Sequence, residues 1–261
     1  MRIALGIEYD GHGYYGWQVQ ENLPTIQTHL EKALSSIANE TVRIFCAGRT
    51  DTGVHALGQV VHFDTTAQRP THAWTIGTNT HLPDNIGVMW AQEVDDNFHA
   101  RFGALSRSYR YIIYNHHLPS AIMNNRVTWH MTPLDAERMQ QAANFLLGEH
   151  NFNSFRSTQC QAKSPVRVVH GIKVSRTNRF VVIEIEANAF LHHMVRNIAG
   201  VLLRIGSGQA QPALMQEVLV ARDRRSAFET ASPTGLYLQQ VRYPVNYDFP
   251  APENLPLFLS R

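Results

Sequence analysis

The chain has only two cysteines, Cys46 and Cys160. They lie far apart and without metal-ligand spacing, so the expected state is two reduced thiols, not a disulfide framework or a thiolate metal site. Long hydrophobic runs are missing as well. The opening MRIALGIEYDG is apolar for only a few residues before Glu8 and Asp10 interrupt it, which fits neither a signal peptide nor a membrane span. A cytoplasmic protein is the expectation. Excess charge is the third thing lacking: 23 Lys and Arg against 21 Asp and Glu leave a net charge of +2. That is less basic than many nucleic-acid binders, so composition alone does not announce RNA. The 14 histidines add positive charge only if the pH falls or carboxylates raise their pKa values. Nor does any segment combine low hydrophobicity with high charge, the mixture that keeps a chain disordered. With 261 residues, 44% of them hydrophobic, the chain can form one large globular domain or two modest ones.

What is present reads as alternating short elements. RIALGIEYDG suits a strand entering a turn. GHGYYG, Gly11 to Gly16, satisfies the glycine spacing of a dinucleotide-binding loop, but that loop must open a helix, and helical periodicity begins only after Pro24. It is read as a glycine-aromatic loop. TIQTHLEKALSSIA places Ile26, Leu30, Ala33, Leu34 and Ile37 at helical spacing with Thr25 as N-cap. VRIFCAGRTD and GQVVHFDT read as strands on either side of a loop. The texture changes near Gly103, where RSYRYIIYN starts a fresh strand. A helix from Pro133, a strand pair turning at Asn178, a long helix in FLHHMVRNIAGVLLRIGSG, a shorter one in PALMQEVLVARDRRS and an extended arm from Pro244 complete the chain. The order strand, helix, strand, strand occurs twice. The expected fold class is therefore α+β, with two similar halves, residues 1–103 and 104–261, and antiparallel or mixed sheets around a shared central cleft.

The loop AGRTDTGVHA concentrates Arg49, Asp51 and His55 among glycines and threonines. A tight turn accounts for the glycines and the Asp. The clustering of ionisable groups between two strands also suits a mounted nucleophile, because an arginine beside Asp51 favours its charged form. A dehalogenase-type phosphatase wants a second Asp two residues on, where Gly53 stands, and a glycosidase wants a second carboxylate. H-E-x-x-H is absent. The adjacent pairs His116–His117 and His192–His193 are expected to point apart on a strand or helix. A site free of metal and cofactor is preferred. In the long helix Arg196 interrupts an apolar run, where a cation is expensive without a carboxylate partner.

Taken in order, AGRTDTGVHALGQVVHF, FHARF, RSYRYIIYN, FLHHMVRNIAG and GLYL resemble the tRNA pseudouridine synthase A family over nearly the whole chain. The resemblance implies the pseudouridine synthase fold and an isomerase without cofactor or metal. That enzyme breaks the uridine C1′–N1 bond, turns the base and joins C1′ to C5. It implies a homodimer acting on the tRNA anticodon stem-loop, at uridines 38, 39 and 40. It places the catalytic aspartate at Asp51 and the residue that approaches the displaced RNA at Arg49. It sets a tyrosine against the target base at Tyr109, the basic partner of the carboxylate at Arg196, and an apolar pocket wall at Leu236. The residues themselves allow plainer roles: pairing with Asp51 for Arg49, and core packing for Tyr109 and Leu236. Arg107, Arg110, Lys163, Arg167, Arg176 and Arg179 are candidates to track a stem backbone, or scattered surface charges. Whether Asp51 adds to C6, bonds to C1′ or assists a glycal route stays open at this point, as do a non-catalytic RNA-binding module and a histidine-based metal nuclease.

Overall fold

The structure is a computed structural model that describes residues 1–252. The chain folds as two compact units. The first holds Met1–Leu105 and the described residues from Tyr237 onward, and the second holds Ser106–Leu236. A cut at 103/104 assigns everything after it to the second half, whereas the closing segment here belongs to the first unit.

In the first unit, β1 (Arg2–Tyr9) is followed by α1 (Ile26–Ala38), β2 (Phe45–Cys46), β3 (His55–Asp64) and β4 (Ile86–Val94). Strand β1 is central and pairs antiparallel with both β3 and β4. That position explains its near-continuous run of buried side chains, Ile3, Ala4, Leu5, Ile7 and Tyr9. Helix α1 starts where the sequence predicts: the Thr25 side chain accepts the Thr28 N–H at 3.3 Å. Leu30, Ala33 and Leu34 point inward. Strand β2 is much shorter than VRIFCAGRTD suggests. The Val42 N–H donates to Ser35 Oγ at 2.9 Å and the Ile44 N–H to Glu31 Oε1 at 3.1 Å. Polar side chains of α1 thus take the backbone donors that a longer strand would pair.

In the second unit, β5 (Ser106–Asn115), β6 (Thr128–His130), α2 (Ala136–Ala143), β7 (Gly148–Asn151), β8 (Val166–Thr177), β9 (Phe180–Ala187), α3 (Met194–Gly206) and α4 (Leu214–Ala221) follow in order. The sheet runs β5-β9-β8-β7, all antiparallel, with β6 parallel to β5. Asn178, at φ 53, makes the β8–β9 turn. Helix α2 begins at Ala136 and not Pro133, because Asp135 is the cap that accepts the N–H groups of Glu137 and Arg138. Helix α3 begins four residues later than Phe190, because His193 stands at φ 65, outside helical geometry. Its inward face is Val195, Ile198, Val201, Leu202 and Ile205, packed against α2 and β5.

The final strand, β10 (Leu236–Arg242), joins the first unit by pairing parallel with β3, Tyr237 opposite His55 and Leu238 opposite Ala56. Beyond it the arm packs back on the same unit. Phe249 stacks on Trp90 at 4.8 Å, and Phe98 meets Tyr243 and Tyr247. The rest of the arm expected from Pro244 lies outside the described residues. Among the described residues no helix is long and apolar enough to cross a membrane.

Candidate active site

The Asp51 loop is tied down at several backbone positions. Ala47 N–H donates to Val60 O at 2.8 Å. Fully buried Gln59 donates through Nε2 to Gly48 O at 2.6 Å. Thr50 O accepts the Trp17 N–H at 3.0 Å, and Asp51 O accepts the Val54 N–H at 3.1 Å. Gly53, at φ 76, makes the turn that closes the second of these bonds. Asp51 is left half-buried at the tip. Arg49 is exposed, and among the described residues no hydrogen bond or ion pair engages its guanidinium. The sequence-based pairing of Arg49 with Asp51 is therefore not formed. Thr50, beside it, is buried and bonded to Tyr9, while Arg49 stands on the solvent side.

The GHGYYG loop is part of this device. A Cβ on Gly11 would stand 2.0 Å from Val54 O, and one on Gly16 would stand 2.8 Å from Thr50 O and 3.1 Å from Asp51 C. Gly16 is also at φ 81. Two glycines therefore let one backbone lie directly against another, which accounts for their spacing without a nucleotide. His55, the third ionisable residue of the loop, points inward. It is 2% exposed and stacks on Tyr237 at 4.6 Å. Its Nδ1 accepts the Gly11 N–H at 3.1 Å and lies 3.0 Å from Asp10 Oδ1, so it braces the loop.

The other candidates belong to the second unit. Tyr109, 8% exposed, sits on β5 with its ring edge-on to Phe190 at 4.9 Å. Arg196 is half-buried on α3. Its Nε donates to Ala231 O at 2.9 Å, while Ala231 N–H returns to Arg196 O at 3.2 Å. Leu236, 5% exposed, follows a short 3-10 turn at Pro233–Gly235. Tyr111 fixes that turn: its hydroxyl donates to Ser232 O at 2.8 Å and accepts from Thr128 Oγ1 at 2.7 Å. Burial pushes the Tyr111 phenol well above its ordinary range, which keeps it a neutral structural donor.

Sequence reasoning missed Tyr9, Trp17 and Tyr111, whose partners lie far away along the chain, and Gln59, whose partner Gly48 stands 11 residues earlier. It also misjudged the histidine pairs. The rings of His116 and His117, and of His192 and His193, are 4.1 Å apart in each pair. The first pair follows β5 and the second precedes α3, so the alternation of a regular element does not apply. Several arginines offered for RNA are engaged internally. Arg110 pairs with Glu184 at 2.8 Å, Arg107 donates to Asn188 O at 3.0 Å, and Arg176 donates to Asn115 Oδ1 at 2.8 Å. Lys163 is exposed.

A family model described as tRNA pseudouridine synthase matches residues 6–103 and 142–244, and these spans contain the Asp51 loop, Arg196 and Leu236. The chain belongs to this family. It is 55% identical over 258 residues to a tRNA pseudouridine synthase A of Coxiella burnetii (strain RSA 331 / Henzerling II), covering 99% of each chain. It is equally 55% identical over 259 residues to one of Shewanella baltica (strain OS195), again covering 99% of each. Membership makes the protein an isomerase that forms pseudouridine in tRNA. In that reaction the base must leave its stack before C5 can face C1′. The N1–C1′ bond breaks, a C5–C1′ bond forms, the C5 hydrogen is lost to solvent and N1 gains a proton, so no oxidant or energy source is consumed.

Proposed function

We propose that the chain modifies uridines 38, 39 and 40 of the tRNA anticodon stem-loop with Asp51 as nucleophile, working as a homodimer without metal or cofactor. The observation that carries this reading is a half-buried carboxylate on a loop whose neighbouring peptide groups are held by buried partners. A group so held loses little freedom on reaching its transition state. Exposed Arg49 meets the phosphates of the displaced nucleotide. Tyr109 lies against the target base, Arg196 stabilises the Asp51 charge, and Leu236 forms the apolar wall of the base pocket.

Because the C5 hydrogen is lost, tRNA carrying tritium at uridine C5 releases it once per turnover. The Asp51→Asn variant is expected to release none above background while binding tRNA as the parent does. Substantial turnover by that variant contradicts the nucleophile assignment. Mapping pseudouridine in tRNA from cells with and without the protein tests the positions, and sites missing only from ribosomal RNA contradict them. Light scattering of the free protein is expected to show a dimer, and a monomer at working concentration contradicts that part.

A further inference from the structure

We propose that the buried hydrogen bond between Tyr9 and Thr50 sets the geometry of Asp51, with Thr50 as a positioning residue and Tyr9 as the group that holds it. The inference rests on the reading of Asp51 as the nucleophile.

The Tyr9 hydroxyl lies 2.7 Å from Thr50 Oγ1, and the two residues are only 3% and 7% exposed. Tyr9 ends β1, opposite Ala56 of β3 on one side and Ile86 of β4 on the other. Its hydroxyl is therefore delivered by the middle strand of a sheet, which does not swing. Its ring leans on Trp17 at 5.9 Å, and Trp17 donates its backbone N–H to Thr50 O at 3.0 Å. Thr50 is thus held at two atoms by two neighbouring aromatic residues.

The consequence falls on the next residue. The carbonyl of Thr50 belongs to the peptide plane entering Asp51, and the carbonyl of Asp51 belongs to the plane leaving it. Trp17 fixes the first and Val54 fixes the second. With both planes fixed, the φ and ψ of Asp51 are fixed, and with them the direction of its Cα–Cβ bond. Gly16 closes against the same backbone, leaving no room for it to move that way. The Tyr9–Thr50 bond keeps this arrangement in register: without it, Thr50 is held by its main chain alone and can rotate about the Trp17 contact. An aspartate misplaced by about 1 Å loses roughly 100-fold in rate without losing its substrate.

Thr50→Val and Tyr9→Phe each remove one hydroxyl and little volume, and Thr50→Ser keeps the hydroxyl. Kinetics are followed by tritium release from C5-labelled tRNA, well below the melting temperature of each variant. The expected result for Thr50→Val and Tyr9→Phe is a fall in kcat of about 10- to 100-fold with KM within about twofold. Thr50→Ser should stay near the parent rate, and the double variant should be no slower than the slower single variant. If Thr50→Val does not fold, Tyr9→Phe carries the same test. Full kcat in folded Tyr9→Phe, or a loss confined to KM, overturns the inference, because a merely structural bond would change melting alone. Asp51→Asn, run alongside, separates the two failures. If it is inactive while the hydroxyl variants are fully active, only the positioning role is wrong; if it is active, the nucleophile reading fails first.

Discussion

Arg196 shows how much one residue's surroundings add to its type. An arginine in the apolar run of α3 asks for a partner, and the main chain of residue 231 supplies one, bonded to it in both directions. That contact uses Nε and turns the planar fork in one direction. If the fork stabilises the Asp51 charge, Arg196→Met should lower kcat by about 100-fold or more. It should also shift the acid limb of the pH–rate profile upward, because removing a nearby positive charge raises a carboxylate pKa. Arg196→Lys should keep a fraction of the activity, since the charge remains but a single ammonium cannot bond Ala231 O and present a fork. Equal rates and profiles in all three proteins would exclude the pairing. Asp51 was legible as a candidate because arginine, aspartate and histidine crowd a short loop between strands. Thr50 was not, since Tyr9 lies 41 residues away and nothing local predicts which hydroxyl it meets. Tyr109 and Tyr111 could not be told apart either, as positions two apart on a strand share a face. The Tyr111 hydroxyl, donating to Ser232 O and accepting from Thr128 Oγ1, gives that tyrosine a structural role.

Elements were most legible where their signals are local. Helix α1 carries its cap at Thr25 and its period in Leu30, Ala33 and Leu34, so its start could be read directly. The β8–β9 hairpin likewise carries its turn residue, Asn178. Legibility failed where a distant side chain satisfies the backbone. Glu31 and Ser35 shorten β2 by taking the N–H groups of Ile44 and Val42, and in a sequence these look like ordinary polar positions of a helix. Glu31 is 7% exposed and also bonds Arg43 at 2.9 Å and Gln27 at 2.9 Å, so a residue of the helix organises the approach to the Asp51 loop. The late start of α3 has a similar cause, because the left-handed backbone at His193 cannot be inferred from a histidine. The parallel return of β10 to β3 was also hidden, since strand order depends on pairings between segments far apart in the chain.

Over the whole molecule, histidines stored in neutral form make stability depend on pH above the carboxylate range. Four histidines are moved down: His62 to about 4, and His29, His99 and His130 below their ordinary value, with burial the leading cause in each case. His62 is the extreme. It is 1% exposed, its Nδ1 accepts the Ala100 N–H at 3.2 Å, and the charges of His99 and Arg2 further oppose its protonation. A pKa lower in the folded than in the unfolded protein means that the unfolded chain takes up the proton first as pH falls. The stabilisation is therefore fully present above about pH 6.5 and is lost as pH falls toward the folded value. For His62 alone the loss between pH 7.5 and 5 is about 2 kcal/mol. Two shifted carboxylates lie outside this window. Asp64, beside Arg2, and Glu40, bonded by Thr65 and Thr66, are held below their ordinary values, so their contributions persist until the pH falls below about 4.5. Urea unfolding should accordingly give a lower free energy at pH 5 than at pH 7.5. His62→Gln should be less stable than the parent at pH 7.5 yet lose less between the two pH values. A parent protein equally stable at both, or a variant that keeps the whole loss, would refute the assignment to His62.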